Sequence, residues 1–199
     1  MNHDIFEFMK QRGVVRAREA AAAGFPRNLL ADLARAGDIL RLSRGVYTLD
    51  GLHLDRSFQM VEVQKRVPHA VFCLISALSF HELTTQIPHE SWIAIPRGTS
   101  RPTPWGAGLH ITTLSPGPYA FGVEEHEIDG STIRVYSPAK TVADCFRFRN
   151  EVGLDVALEA LKEAWRDRRA TVDELMAAAR TDRVERVMRP YVETVVHSC

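Results

Sequence analysis

The spacing of apolar residues over the first part of the chain predicts three short helices followed by two strands. Ile5, Phe6 and Met9 recur at helical spacing and Gly13 closes the segment, which gives an amphipathic helix over 3–12. Val14-Val15 reads as extended. Arg16 to Ala23 is rich in alanine and helical, with Gly24 as its stop. A third helix is expected from Phe25-Pro26 to about Ala36. Pro26 falls near its first turn, where a missing N–H does no harm. Leu29, Leu30 and Leu33 line one face of this helix, and Arg27, Asn28, Ala31, Asp32 and Arg35 line the other. Gly37 provides the C-terminal stop. Two short strands, Ile39–Leu42 and Val46–Leu49, follow around Ser43-Arg44-Gly45, where glycine suits a tight turn. Helix, helix, short Gly-containing turn, helix and two-stranded wing is the order of a winged helix-turn-helix, here over residues 1–50.

After a connector at Leu49–Asp55 the pattern changes, and a second domain is expected over 56–199. Ser57 can cap a helix over Phe58–Val67, which Pro68 stops. Val71–Leu83 is apolar and should contain a buried helix near Ser76–Glu82. Trp92-Ile93-Ala94-Ile95 reads as a buried strand closed by Pro96. Residues 96–118 hold five prolines and four glycines among 23, so they read as loop, interrupted by a strand at Leu109–Leu114. Glu124–Ile128 and Thr132–Tyr136 flank Asp129-Gly130, the strongest hairpin signal in the chain. From Pro138 the pattern is helical, with segments at about 139–149, 154–168, 172–180 and 183–196. The fold class is α+β: an N-terminal winged helix-turn-helix, then a mixed α/β domain with a small sheet and a helical C-terminal tail.

Charge adds to this picture. The chain has 199 residues, 25 Lys+Arg and 25 Asp+Glu, so it is formally neutral. Between Lys10 and Leu49, however, eight cations face three acids, a net +5 over 40 residues, and the remainder carries 17 cations against 22 acids. A cationic module on an acidic remainder points to nucleic acid bound by one part only. Arg27 and Asn28 fall at the exposed start of the third helix, where arginine can pair bidentately with guanine and asparagine with adenine. Arg16 and Arg18 begin the preceding helix, which in this motif crosses the phosphate backbone. Arg44, at the wing tip, and Arg41 can reach a flanking phosphate, and Arg35 is either a contact or a solvated surface residue. A small helical module used only for protein contacts is the competing reading.

Catalytic chemistry has little support. The eight histidines include no HxxH or HxxxH pair, and Cys73, Cys145 and Cys199 are too far apart for a CxxC site, so no metal or other cofactor is expected. No Gly-rich phosphate loop and no GxSxG occurs. Asp129, Lys140 and Asp144 are close enough in sequence to suggest a nuclease-like set. Yet Asp129 is explained as a turn residue, and Lys140 with Asp144 as a helical i, i+4 pair. Ser76 with His81 lacks an orienting acid. The loop Arg97-Gly98-Thr99-Ser100-Arg101 could clamp phosphates or bind a partner. The absence of a 7–15-residue apolar run at the N-terminus and of any 18-residue apolar stretch gives the expectation of a cytoplasmic protein without membrane contact.

Several stretches together resemble the AbiEi family of antitoxins from bacterial type IV toxin–antitoxin systems. They are Gly24-Phe25-Pro26-Arg27-Asn28-Leu29-Leu30, Leu33-Ala34-Arg35-Ala36-Gly37 and Leu42-Ser43-Arg44-Gly45-Val46-Tyr47. Further along come the segments Leu74–Thr84, Trp92–Gly98 and Ser137–Phe146. The resemblance implies a DNA-binding N-terminal domain that represses its own operon through inverted repeats in double-stranded DNA. It also implies a non-enzymatic C-terminal domain that opposes a nucleotidyltransferase toxin without a stable complex. For that antitoxin surface the candidates are Arg97 and Arg101, with Lys140 next. The alternative is a winged-helix regulator whose second domain senses a ligand or partner.

Overall fold

In a computed structural model, residues 2–49, 56–103, 108–128 and 130–197 are described. Contacts divide the chain into two units, Met1–Pro68 with Glu125–Ile133, and His69–Glu124 with Arg134–Cys199.

The first unit contains α1 (Asn2–Arg12), β1 (Val14–Arg16), α2 (Ala17–Ala22), α3 (Leu29–Ala36), β2 (Leu40–Ser43), β3 (Val46–Thr48) and α4 (Arg56–Arg66). The apolar positions at helical spacing do meet: Ile5, Met9, Val15, Ala20, Leu30, Leu33, Ile39 and Tyr47 form one buried cluster. Removing a leucine from such a cluster costs about 2–5 kcal/mol. Two expectations change. The third helix starts at Leu29, not at Pro26. The Leu29 N–H donates to the Pro26 carbonyl at 3.0 Å, closing a turn that holds Arg27 and Asn28 ahead of the helix. The wing is also part of a three-stranded sheet in the order β1-β3-β2, because Val14 and Val15 pair antiparallel with Thr48 and Tyr47. Gly37 at the C-cap of α3 has φ +85°, the left-handed conformation a side chain would oppose. α4 packs on β1 and β3.

The second unit is built on a five-stranded sheet in the order β6-β5-β4-β8-β7. Its elements are β4 (Val71–Phe72), α5 (Leu74–Phe80), β5 (Ser91–Pro96), β6 (Leu109–Leu114), α6 (Pro116–Ala120), β7 (Val123–Ile128) and β8 (Ser131–Tyr136). Five helices follow: α7 (Pro138–Arg147), α8 (Arg149–Val152), α9 (Leu154–Arg166), α10 (Val172–Thr181) and α11 (Glu185–His197). β5 and β6 are parallel neighbours, in register from Ser91↔Leu109 to Pro96↔Leu114. Parallel neighbours need a crossover of about a dozen residues or more, and this is why a Pro/Gly-rich loop lies between them. Residues 116–118, expected as loop, begin α6 instead, with Pro116 at the helix start where its ring is tolerated. α7 packs on α5, α9 and α10, and Ala139 through Phe146 are all buried. Glu125–Ile133, which holds most of β7 and the first half of β8, belongs to the first unit. Ser131 Oγ donates to the Arg12 carbonyl at 3.0 Å, and a Cβ at Gly130 would lie 2.0 Å from the Gln11 carbonyl oxygen. Asp129, expected in this turn, lies outside the described residues.

Candidate nucleic-acid interface

α3 exists because Leu30 and Leu33 bury one face against α1, α2 and the sheet, and that burial fixes which residues face outward. Arg27 and Asn28 are exposed in the turn that leads into it. Asn28 occupies the N-cap position, but its side chain makes no cap hydrogen bond, so its amide is not used by the helix. Arg35 is exposed further along and pairs with Asp32 at 2.9 Å, a surface i, i+3 pair of little energetic weight. On the wing, Arg41 and Arg44 are exposed, and Arg41 Nε donates to the Ser43 carbonyl at 3.4 Å. Gly45, at φ +77°, makes the turn that presents Arg44. Arg18 is exposed at the start of α2, whereas Arg16 is half-buried. The structure therefore gathers all seven predicted arginine and asparagine positions in one unit. What it adds is that Arg27 and Asn28 sit on a turn and not on the helix face.

In the second unit the structure corrects one assignment. Lys140, expected on an antitoxin surface, is 0% exposed. Its ammonium donates to Asp144 Oδ1 at 2.6 Å, the expected i, i+4 contact, and to Asp182 Oδ2 at 3.1 Å. Arg147 approaches the other oxygen of Asp182 at 3.4 Å. Asp182 is also inaccessible. Burial pushes the Asp144 carboxyl up to about 7; Lys140 opposes the rise and Asp182 adds to it. Asp144 Oδ2 is buried with no hydrogen-bond partner among the described residues. The cluster is closed to a substrate, and burial also raises the thiols of Cys73 and Cys145, which are therefore poor nucleophiles.

The remaining candidates are scattered. Arg97 and Arg101 are exposed on the crossover loop. Ser76 Oγ accepts the Trp92 N–H at 2.8 Å, and His81 Nε2 lies 2.7 Å from the Tyr136 carbonyl, so each is engaged elsewhere. Among the described residues no group of three or more His, Cys, Asp or Glu could hold a metal, and no helix is long and apolar enough to cross a membrane. A groove of about 630 Å³ lies beside Trp165, Arg168, Ala170 and Val172.

Sequence reasoning missed two features. Asp182 stands 42 residues from Lys140, and no local pattern announces it. No local pattern announces the burial of Lys140 and Asp144 either, because with Arg147 they fall at i, i+4 and i+7 and form the polar face of an amphipathic α7. The other missed feature is His110, stacked on Trp92 with ring centroids 3.7 Å apart. Its two nitrogens approach different carboxylates, Glu90 at 3.4 Å and Glu151 at 2.6 Å.

Taken together, the first unit is a winged helix-turn-helix whose exposed cations include Arg27 on the turn and Arg41 and Arg44 on the wing. Residues 3–49 match the family model described as "Transcriptional regulator, AbiEi antitoxin". The match covers the winged helix and stops before α4. No curated protein matches the chain. Among solved structures, the chain resembles the crystal structure of the RV2827C protein from Mycobacterium tuberculosis. The TM-score is 0.59 at 10% identity, covering 90% of this chain and 75% of that one. At that identity the likeness is one of fold.

Proposed function

We propose that the protein is a DNA-binding transcriptional repressor and the antitoxin of a type IV toxin–antitoxin system. In this reading it autoregulates its operon in the cytoplasm and opposes a nucleotidyltransferase toxin, without itself being an enzyme. The observation that carries the DNA-binding part is the placing of Arg27 and Asn28 on an exposed turn at the start of α3, beside a wing that presents Arg41 and Arg44. That arrangement lies within the segment that matches the regulator family. Arg27 and Asn28 would read base edges in the major groove, and Arg16, Arg18, Arg41 and Arg44 would contact phosphates.

Antitoxicity is assigned to the second unit, with Arg97 and Arg101 on the crossover loop as its surface. Lys140 is withdrawn from that surface because it is buried. The test has two arms. The full chain should bind the upstream region of its own operon in preference to a scrambled duplex, and co-expression should restore growth to cells carrying the toxin encoded beside it. Preference without rescue would favour the second reading, a regulator that senses a ligand. The groove beside Trp165 is the place to look for that ligand. Rescue that persists in the Arg97→Ala, Arg101→Ala double variant would move the antitoxin surface off the loop.

A further inference from the structure

We infer that α4, which lies beyond the helix-turn-helix and wing, completes the DNA-binding surface: Arg66 joins Arg16 and Arg18 in a site for the phosphodiester backbone. The inference rests on the DNA-binding reading above and extends it to residues outside the segment that matches the family.

The placement follows from packing. α4 lies on β1, whose last residue is Arg16. Lys65 Nζ donates to both oxygens of Glu19, at 2.9 and 3.1 Å, which ties the end of α4 to the start of α2. Glu19 Oε2 also accepts the Arg16 N–H at 2.9 Å. One carboxylate thus fixes the beginning of α2 and the end of α4 together. Arg66 lies one residue further along α4, 3.6 Å from Glu62.

Arg16, Arg18, Lys65 and Arg66 bring four cations to this corner, where Lys65 pairs with Glu19 and Arg66 with Glu62. Burial and the like charges of Arg18 and Arg66 hold the Arg16 guanidinium below its ordinary value, with Glu19 opposing. Collecting guanidinium groups around a half-buried arginine is unfavourable in the free protein, and an anion relieves it. A phosphodiester suits the place, because α2 is the helix that crosses the DNA backbone in this motif. Glu19 and Lys65 act as positioning residues, and Arg16, Arg18 and Arg66 as the contacts.

The test uses the full chain and a fluorescently labelled mixed-sequence duplex, with affinity followed by anisotropy over a range of salt concentrations. Arg66→Gln should weaken binding about threefold to tenfold, equally for every sequence, and flatten the slope of log K against log[salt] by about one unit. Arg66→Lys should restore most of the slope. Glu62→Gln separates this from a structural role. If Arg66 serves only to pair with Glu62, the two single variants will behave alike; under the proposal Glu62→Gln keeps the slope or steepens it. A wild-type slope in a folded Arg66→Gln protein removes α4 from the interface and leaves the rest of the reading standing. A wild-type chain that binds no duplex brings down both.

Discussion

The two units use charge in opposite ways. In the first, Arg27, Asn28, Arg41 and Arg44 stand in solvent on a turn and a wing, and the apolar cluster beneath them closes without their help. In the second, Lys140, Asp144 and Asp182 are removed from water and satisfied mainly by one another. Exposed charges add little to folding and remain available to an outside partner. Buried charges are unfavourable to desolvate unless paired, and they commit the packing of the helices that carry them. A substitution in the first group should therefore change binding and leave stability alone, and one in the second should do the reverse.

The largest expected effect is on folding. Lys140→Met leaves two aspartates in the interior of the second unit, with Arg147 still near Asp182, and should destabilise the protein by about 3–5 kcal/mol. Chemical denaturation measures it. A loss below about 1 kcal/mol would mean that the carboxylates can be satisfied without the lysine. The folded fraction should still bind DNA with wild-type affinity, and that second measurement tests the comparison itself.

Next come Arg27→Ala and Asn28→Ala. Each should lose about 1–3 kcal/mol at one operator position and relax base choice there, with an unchanged melting temperature. Binding of specific and scrambled duplexes in the wild-type ratio would place the readout elsewhere. Smaller again is Arg44→Ala, which should flatten the salt slope by about one unit for all sequences alike. An unaltered slope would put the wing off the DNA.

What was legible in the sequence follows the same divide. The first unit is built from local signals: leucines at helical spacing, glycines at helix stops and a glycine in the wing turn. The elements that carry its candidate residues could accordingly be read from the sequence. The start of α3 was misplaced because a single i→i+3 turn at Pro26 looks like the first turn of the helix itself. Burial of Lys140 is a tertiary outcome. An i, i+4 Lys–Asp pair, extended here by Arg147 at i+7, is the usual mark of an exposed helix face, and nothing in the local pattern argues otherwise. Asp182 and the stacking of Trp92 on His110 depend on chain pairings 42 and 18 residues apart, which no local period encodes. Arg66 was overlooked because its significance lies in its nearness to Arg16, a consequence of α4 folding back on β1.

The last effect, and the sharpest probe of the buried group, is on the pH dependence of stability, read as a difference between two slopes. The Asp144 carboxyl rises from its ordinary 3.8 to about 7 on folding, through burial first, so the folded protein holds a proton that the unfolded chain has released. The contribution of this group is therefore fully present below about pH 4. It is lost as pH rises through about 7, with a slope of at most about 1.4 kcal/mol per pH unit. Asp144→Asn cannot titrate, so its stability measured from pH 4 to 8 should fall less steeply than that of wild type, and subtracting the two curves removes the common contribution of the histidines. Parallel curves would mean that Lys140 holds Asp144 ionised throughout. A wild-type curve that rises more steeply than that of the variant would require the opposite sign, a carboxylate stabilised by its lysine, and the cluster would then be an ordinary ion pair held inside the fold.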